Sequence, residues 1–308
     1  MKTRRQFIQT TLAATAGFAA STGVSQEKSE WKSLFDGKTL NAWKKIPRLY
    51  ARKTVGASKT PITGDELYEK SMEWHRKHSP QRALEHTGEW KVVDGAIEGG
   101  QEPAGSRLGG YLMSEETYGD FELEYEMRPD WQTDTGILVR QHPIGTVGFQ
   151  ILCDHRPHGG IGGIFTNGLG SYLAAPFVVD GDADENFKVK NFRQGKHNPQ
   201  FRKVALKDAA TFEGFREVWK VNEWNKFRVR CVGANPVITT WVNDLKIGTL
   251  ETEKPGVPDY DSSMIQRLVG KRGHIGLEVH SNSPKKGWTQ WERGAVSRWR
   301  NIRVREIV

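Results

Sequence analysis

The sequence predicts an all-β fold, an antiparallel sandwich in which each sheet buries one face. Three observations predict it. Asp120–Met127 alternates strictly, with Phe121, Leu123, Tyr125 and Met127 on one side and Glu122, Glu124 and Glu126 on the other. Two-residue turn signals, Asp94-Gly95 and Asn243-Asp244, separate apolar runs as hairpin turns do. The composition, with 33 Gly and 11 Trp, suits glycine-rich turns between aromatic-bearing strands better than helices.

Taken from the N-terminus, the chain opens Met1-Lys2-Thr3-Arg4-Arg5-Gln6-Phe7-Ile8. A basic start with an Arg-Arg pair before Phe-Ile is the signature of twin-arginine export. A weakly apolar run, Thr11 to Ala20, and small residues around Ser21 complete a cleavable targeting peptide. The expected organisation is a signal peptide over 1–20, a polar linker over 21–30 and one β-sandwich domain over 31–308. The expected location is the periplasm or the extracellular space. Cleavage near Ser21 removes Lys2, Arg4 and Arg5 and no acid, and lowers the net charge from +8 to +5. That excess is modest, and no Lys/Arg block with interleaved aromatics occurs, so nucleic acid is not an expected partner. No stretch is long and apolar enough for a membrane-spanning helix.

Residues 44–86 are basic and polar and read as an insertion. A short helix is expected over Asp65–Lys77, capped by Thr63 or Asp65. Strands are expected at Trp90–Glu98 (a hairpin), Asp120–Met127, Thr135–Gln141, Val147–Cys153, Trp224–Val232, Val237–Val242, His274–Ser281 and Trp299–Ile307. Residues 181–220 are charged and irregular and read as a second insertion with one short helix. Cys153 and Cys231 make no disulfide framework and read as small buried apolar residues.

Nine short motifs follow one another in a recognisable order. They are Trp31–Trp43, Trp90–Ile97, Gly110–Ser114, Tyr118–Leu123, Thr135–Arg140, Glu223–Asn225, Trp241–Asn243, Gly276–His280 and Arg300–Arg303. In that order the chain resembles the 3-keto-disaccharide hydrolase domain family. The resemblance implies a concanavalin-like jelly-roll sandwich with two insertions. It also implies a carbohydrate substrate, a 3-keto-glycoside formed by a partner oxidoreductase. No cofactor is expected. Two positions depart from the family pattern: Gly148 stands where Glu is frequent, and Glu278 where Gln is common.

Strand parity selects the residues able to carry chemistry, because side chains two apart share a face about 7 Å apart. Val147–Asp154 puts Phe149, Ile151 and Cys153 on one face and Gln150 and Asp154 on the other. His274–His280 puts Glu278 and His280 opposite Ile275, Leu277 and Val279. Arg140 shares parity with Leu138 on its own strand. Asp154, Glu278, His280 and Arg140 are the expected catalytic set. Gln150, His155, His158, Glu124, Trp131 and Trp288 are the expected substrate contacts. Cleaving a 3-keto-glycoside needs a base for the C2 hydrogen, an acid for the leaving oxygen and a donor at the enolate. The set contains all three types, without saying which residue takes which role.

Rival readings attach to the same residues. A non-catalytic, lectin-like sandwich would use the tryptophans as sugar platforms. A conventional glucanase would use closely spaced carboxylates. His155 and His158 invite a divalent metal, but no third ligand stands at a known spacing. Gly159–Gly163 lacks the Lys-Ser/Thr of a phosphate loop.

Overall fold

A computed structural model of the chain describes residues 29–51, 62–199, 202–258, 260–283 and 287–307. The expected signal peptide and most of the linker lie outside the described residues.

The described residues form two facing eight-stranded sheets. The first contains β1 (Lys32–Ser33), β3 (Glu89–Val93), β4 (Ala96–Gly100), β6 (Phe121–Met127), β14 (Asn225–Val232), β15 (Val237–Val242), β16 (Leu245–Glu251) and β18 (Ser297–Glu306). Its order is β16-β15-β14-β6-β18-β4-β3, with β1 on β18. The second sheet contains β2 (Trp43–Pro47), β5 (Gly110–Tyr118), β7 (Gly136–Gln141), β8 (Gly148–Cys153), β9 (Ile161–Asn167), β10 (Tyr172–Ala174), β13 (Arg202–Val204) and β17 (Gly273–Val279). Its order is β13-β10-β9-β8-β7-β17-β5-β2. Every pairing in it is antiparallel except β10 with β13. The chain is therefore the antiparallel jelly-roll sandwich that its alternation predicts.

The core lies between the sheets and follows parity. Phe121, Leu123, Tyr125 and Met127 of β6 face Phe149, Ile151 and Cys153 of β8 and Ile275, Leu277 and Val279 of β17 across one buried cluster. Cys153 and Cys231 are free thiols within it. The outward glutamates of β6 are matched by arginines on β18. Glu124 pairs with Arg303 at 2.5 Å, Glu126 with Arg300 at 2.6 Å, and Glu122 with Arg305. Such cross-strand pairs stabilise a sheet by a few tenths of a kcal/mol each, and they account for the strict alternation without a functional role. The Asp94-Gly95 and Asn243-Asp244 turns form as predicted, all four residues having positive φ.

Helix α1 (Gly64–His78) starts at Thr63, whose side chain accepts from the Glu66 amide while Glu66 reaches back to the Thr63 amide. This reciprocal cap satisfies two orphan donors. Helices α2 (Gln81–Glu85), α3 (Phe212–Val218) and α4 (Ser263–Leu268) are short.

Both segments read as insertions contribute to the sandwich itself. β2, which runs from Trp43 into 44–86, pairs with β5 along its whole length. β11 (Val179–Ala183), which runs into 181–220, pairs with β12 (Val189–Gln194), and β13 extends the second sheet. α3 turns Phe215, fully buried, against Phe177 and Trp219. These aromatics are scattered among charges without a period, so the sequence hides their burial. Replacing Phe215 with Ala is expected to cost about 3–5 kcal/mol, read as a lower urea midpoint. An unchanged midpoint would make α3 mere decoration.

Candidate active site

Register builds the site on the outer face of the second sheet. Ile46 pairs with Tyr111, Tyr111 with Glu278 and Gly136 with Leu152, while Leu277 with Ile137 joins the two halves. These pairs form one row across five strands. Two residues after Ile46, Glu278 and Leu152 stand Arg48, His280 and Asp154, and two residues before Gly136, on a strand running the other way, stands Asp134. All four therefore emerge on the same face at the same edge. Arg156 follows Asp154 by two residues and joins them. The cleft above this edge has a volume of ≈ 1280 Å³ and is lined by Arg48, Asp134, Gln150, Asp154, Arg156 and His280 among others. Its walls include Leu67 of α1 and Met264 and Leu268 of α4, with Phe165 and Leu173 on the floor and the exposed His158 on the rim.

Asp134 and Asp154 are close enough to interact as like charges, which disfavours ionisation of both at once. Arg156 Nη2 lies 2.8 Å from Asp134 Oδ2 and 3.8 Å from Asp154 Oδ2. The Thr135 amide donates to Asp154 Oδ1 at 3.1 Å. Burial, then the Asp134 charge, pushes the Asp154 carboxyl well above the usual carboxylate range. Burial is the largest influence on Asp134 and works to raise it, but Arg156 together with His280, Arg48 and the Asp154 side chain outweighs burial and holds that carboxyl at about 2. The proton therefore resides on Asp154 and the charge on Asp134, as in carboxylate pairs that cannot both ionise.

Beside the pair, His280 Nδ1 lies 2.6 Å from the Ser281 carbonyl. A carbonyl only accepts, so Nδ1 carries the hydrogen and Nε2 keeps its lone pair. The Gln290 amide nitrogen sits 3.2 Å from Nε2. Burial, then the nearby Arg48 charge, lowers His280 to about 3, so its ring is neutral at physiological pH.

Arg48 completes the set. Its Nε donates to Glu278 Oε1 at 2.7 Å, and its Nη1 donates to the Tyr50 hydroxyl at 3.0 Å. Tyr111 donates to the same Glu278 oxygen at 3.2 Å. Glu278 itself is fully enclosed, and burial raises its carboxyl despite the opposing Arg48 charge. The Arg48 segment is anchored by Thr146, whose hydroxyl donates to the Leu49 carbonyl at 2.6 Å and accepts from the Ala51 amide at 2.8 Å. Among the described residues no group of three or more His, Cys, Asp or Glu side chains is arranged to hold a metal ion.

The structure thus brings Asp154, His280, Gln150 and His158 to one cleft and sets Glu278 directly beneath it. The remaining expectations need correction. Arg140 adopts a left-handed φ of +49° at a break in the β7–β17 register, which ends the alternation and turns its side chain away from the cleft. There it donates to the Gly119 and Gly233 carbonyls and pairs with Asp120 at 3.0 Å, a structural role. His155 follows Asp154 directly and so points inward, with its ring 5.1 Å from Trp131 and 6.1 Å from Trp219. Trp131 is itself buried in that cluster. Glu124 lies on the other sheet in its ion pair with Arg303, and Trp288 lies under the Arg107 guanidinium, outside the cleft lining. Sequence reasoning missed Asp134, Arg48 and Arg156. Asp134 and Arg156 share parity with Gly136 and Asp154, so the same alternation reaches them. Arg48 follows a strand that the sequence did not show.

A sandwich sheet bearing an acid–base cluster in a sugar-sized cleft defines a class of carbohydrate-active proteins. The chain belongs to the family of 3-keto-α-glucoside-1,2-lyase-like domains, whose model matches residues 30–305. No curated protein matches the chain. Among solved structures, it is similar to two Parabacteroides distasonis proteins provisionally assigned as glycosyl hydrolases. One has 13% identity and a TM-score of 0.44, with 90% of this chain and 94% of that one covered. The other has 17% identity and a TM-score of 0.41, with 70% and 89% covered. A Bacillus licheniformis β-glucanase has 12% identity and a TM-score of 0.37, with 91% and 98% covered. These superpositions are loose, and no functional weight rests on them.

Proposed function

We propose that the protein cleaves 3-keto-glycosides by elimination across C1 and C2, with water then adding to C1. The observation that carries this reading is the Asp134–Asp154 pair, which holds one charge and one proton side by side. Asp134 takes the C2 hydrogen, made acidic by the C3 ketone, and the C2–H electrons form the enolate. The enolate re-forms the carbonyl as the C1–O bond breaks, and Asp154 gives its proton to the departing oxygen. The pair has then gained one proton and lost one, and a shift between its carboxyls restores it. Arg48, with its charge already facing the cleft, stabilises the enolate oxygen. His280, neutral and fixed in one tautomer, accepts from the Gln290 amide at Nε2 and so holds that amide at the cleft.

A conventional glycosidase fits less well. Its two carboxyls flank the scissile bond from separate positions, whereas Asp134 and Asp154 sit together on one Arg156 nitrogen, at 2.8 Å and 3.8 Å. A purely binding cleft fits less well too. Tyr50 and Phe165 are the aromatic residues among its described lining, and titratable groups dominate its edge. Incubation with a 3-keto-glucoside and with the corresponding unoxidised glucoside tests the reading. Aglycone release from the first alone supports it, and release from the second alone refutes it.

The ketone must come from an oxidoreductase that acts at C3 of the sugar. Arg4 and Arg5 would direct the protein to the compartment holding the oxidised substrate. Replacing both with Lys is expected to leave precursor in the cytoplasm on fractionation, and normal export of that variant would remove the twin-arginine assignment.

A further inference from the structure

We propose that Glu278 is a positioning residue that aims Arg48 at the substrate carbonyl, and that it transfers no proton itself. The inference rests on the elimination reading for its kinetic test but on geometry alone for its structural one. Glu278 has no exposed surface and does not line the cleft, whereas Arg48 does. One Glu278 oxygen receives both Arg48 Nε at 2.7 Å and the Tyr111 hydroxyl at 3.2 Å. The guanidinium also lies 5.2 Å from the Tyr50 ring centroid and 6.0 Å from that of Tyr111. Its inner edge is therefore held by a carboxylate, Nη1 by a hydroxyl, and its plane by two rings. Nη2 remains to face the cleft.

An arginine is a planar fork, and fixing one edge fixes the direction of the other. A carboxylate at the base of the cleft therefore sets where positive charge sits above it. The arrangement resembles the second layer behind many catalytic groups, in which the supporting residue never meets substrate. Thr135 adds to it by donating its hydroxyl to the Glu278 carbonyl at 2.7 Å, tying the strand that carries Glu278 to the one that carries Asp134.

The test compares Glu278→Gln, Glu278→Ala and Arg48→Lys. Gln retains the acceptor oxygen and cannot titrate. It is expected to keep kcat within about tenfold of wild type and to leave the pH profile unchanged. Ala frees the guanidinium, and Lys lacks its fork. Each is expected to lower kcat by about 10²-fold, the scale of an ångström-sized misplacement, with KM little changed. Loss of activity in Glu278→Gln equal to that in Glu278→Ala, together with a lost pH limb, would overturn the proposal. A near-normal Arg48→Lys would also overturn it. Nitrogen-15 NMR reads the clamp without substrate. A slowly exchanging Arg48 Nε–H signal should persist in Glu278→Gln and vanish in Glu278→Ala, and its absence from the wild type contradicts the clamp. If the wild type releases no aglycone from 3-keto-glycosides, the functional reading falls, and the NMR comparison still decides whether Glu278 fixes Arg48.

Discussion

Replacing Asp134 with Asn is expected to lower kcat on a 3-keto-glycoside by about 10³–10⁴-fold, near the upper range for loss of a positioned base. The amide keeps the shape of the carboxyl and a contact for Asp154. It removes the charge that Arg156, 2.8 Å away, holds in place at neutral pH. KM should change little, because the lost interaction operates on the hydrogen leaving C2 rather than on the bound sugar. Steady-state kinetics, with circular dichroism to confirm the fold, make the comparison. A loss smaller than about tenfold would remove Asp134 from the chemistry and return the role of base to another cleft residue.

Asp154→Asn is expected to pull activity and stability in opposite directions. Loss of the acid should reduce kcat by about 10²–10⁴-fold, least for substrates with good leaving groups, which need little protonation. Stability should move the other way. The folded-state carboxyl is raised above its unfolded value by burial and by Asp134. Its contribution is therefore fully present below the unfolded value and is lost as pH climbs through the folded one. At neutral and higher pH the wild type bears this cost and the Asn variant does not. Urea denaturation at pH 5 and pH 8 should show the variant gaining on the wild type as pH rises. Asp134, held at about 2, has the opposite sign. Its contribution is present above the unfolded value and disappears as pH falls towards 2. The kinetic profile should follow the same logic, with the wild-type rate falling at high pH as Asp154 ionises. His280, at about 3, should produce no inflection near neutrality. A variant that loses stability at pH 8 would contradict the assigned protonation of the pair.

Alternation makes the sandwich legible in the sequence itself. Where an inward-facing apolar set alternates with an outward polar one, as on β6, β8, β14 and β17, parity alone assigns the faces. It also places Gln150, Asp154 and Glu278 correctly. The same rule fails at Arg140, because one left-handed residue at a register break reverses the faces, and arginine gives no sign of it. The expectation at His155 breaks the rule, since neighbours on a strand cannot both face a ligand. Asp134 and Arg156 lie just beyond strand ends, where the apolar pattern stops although the pleat continues. Arg48 is out of reach. β2 is a short strand in a basic stretch, and its place beside β5 is a long-range pairing that no local pattern encodes. The aromatics of 181–220 escape for a related reason: their burial comes from packing against a distant sheet rather than from any period of their own.

The central claim is that bond cleavage begins with loss of the C2 hydrogen to the Asp134–Asp154 pair. Turnover of a 3-keto-glucoside such as 3-keto-trehalose in deuterated water tests it most directly, with the released 3-keto sugar quenched early and examined at C2. The account predicts one deuterium at C2 of the product beyond the slow exchange seen without enzyme, and none after the same incubation with Asp134→Asn. Aglycone release at the full wild-type rate with the original hydrogen retained at C2 would contradict it, because the bond would then have been broken by direct hydrolysis.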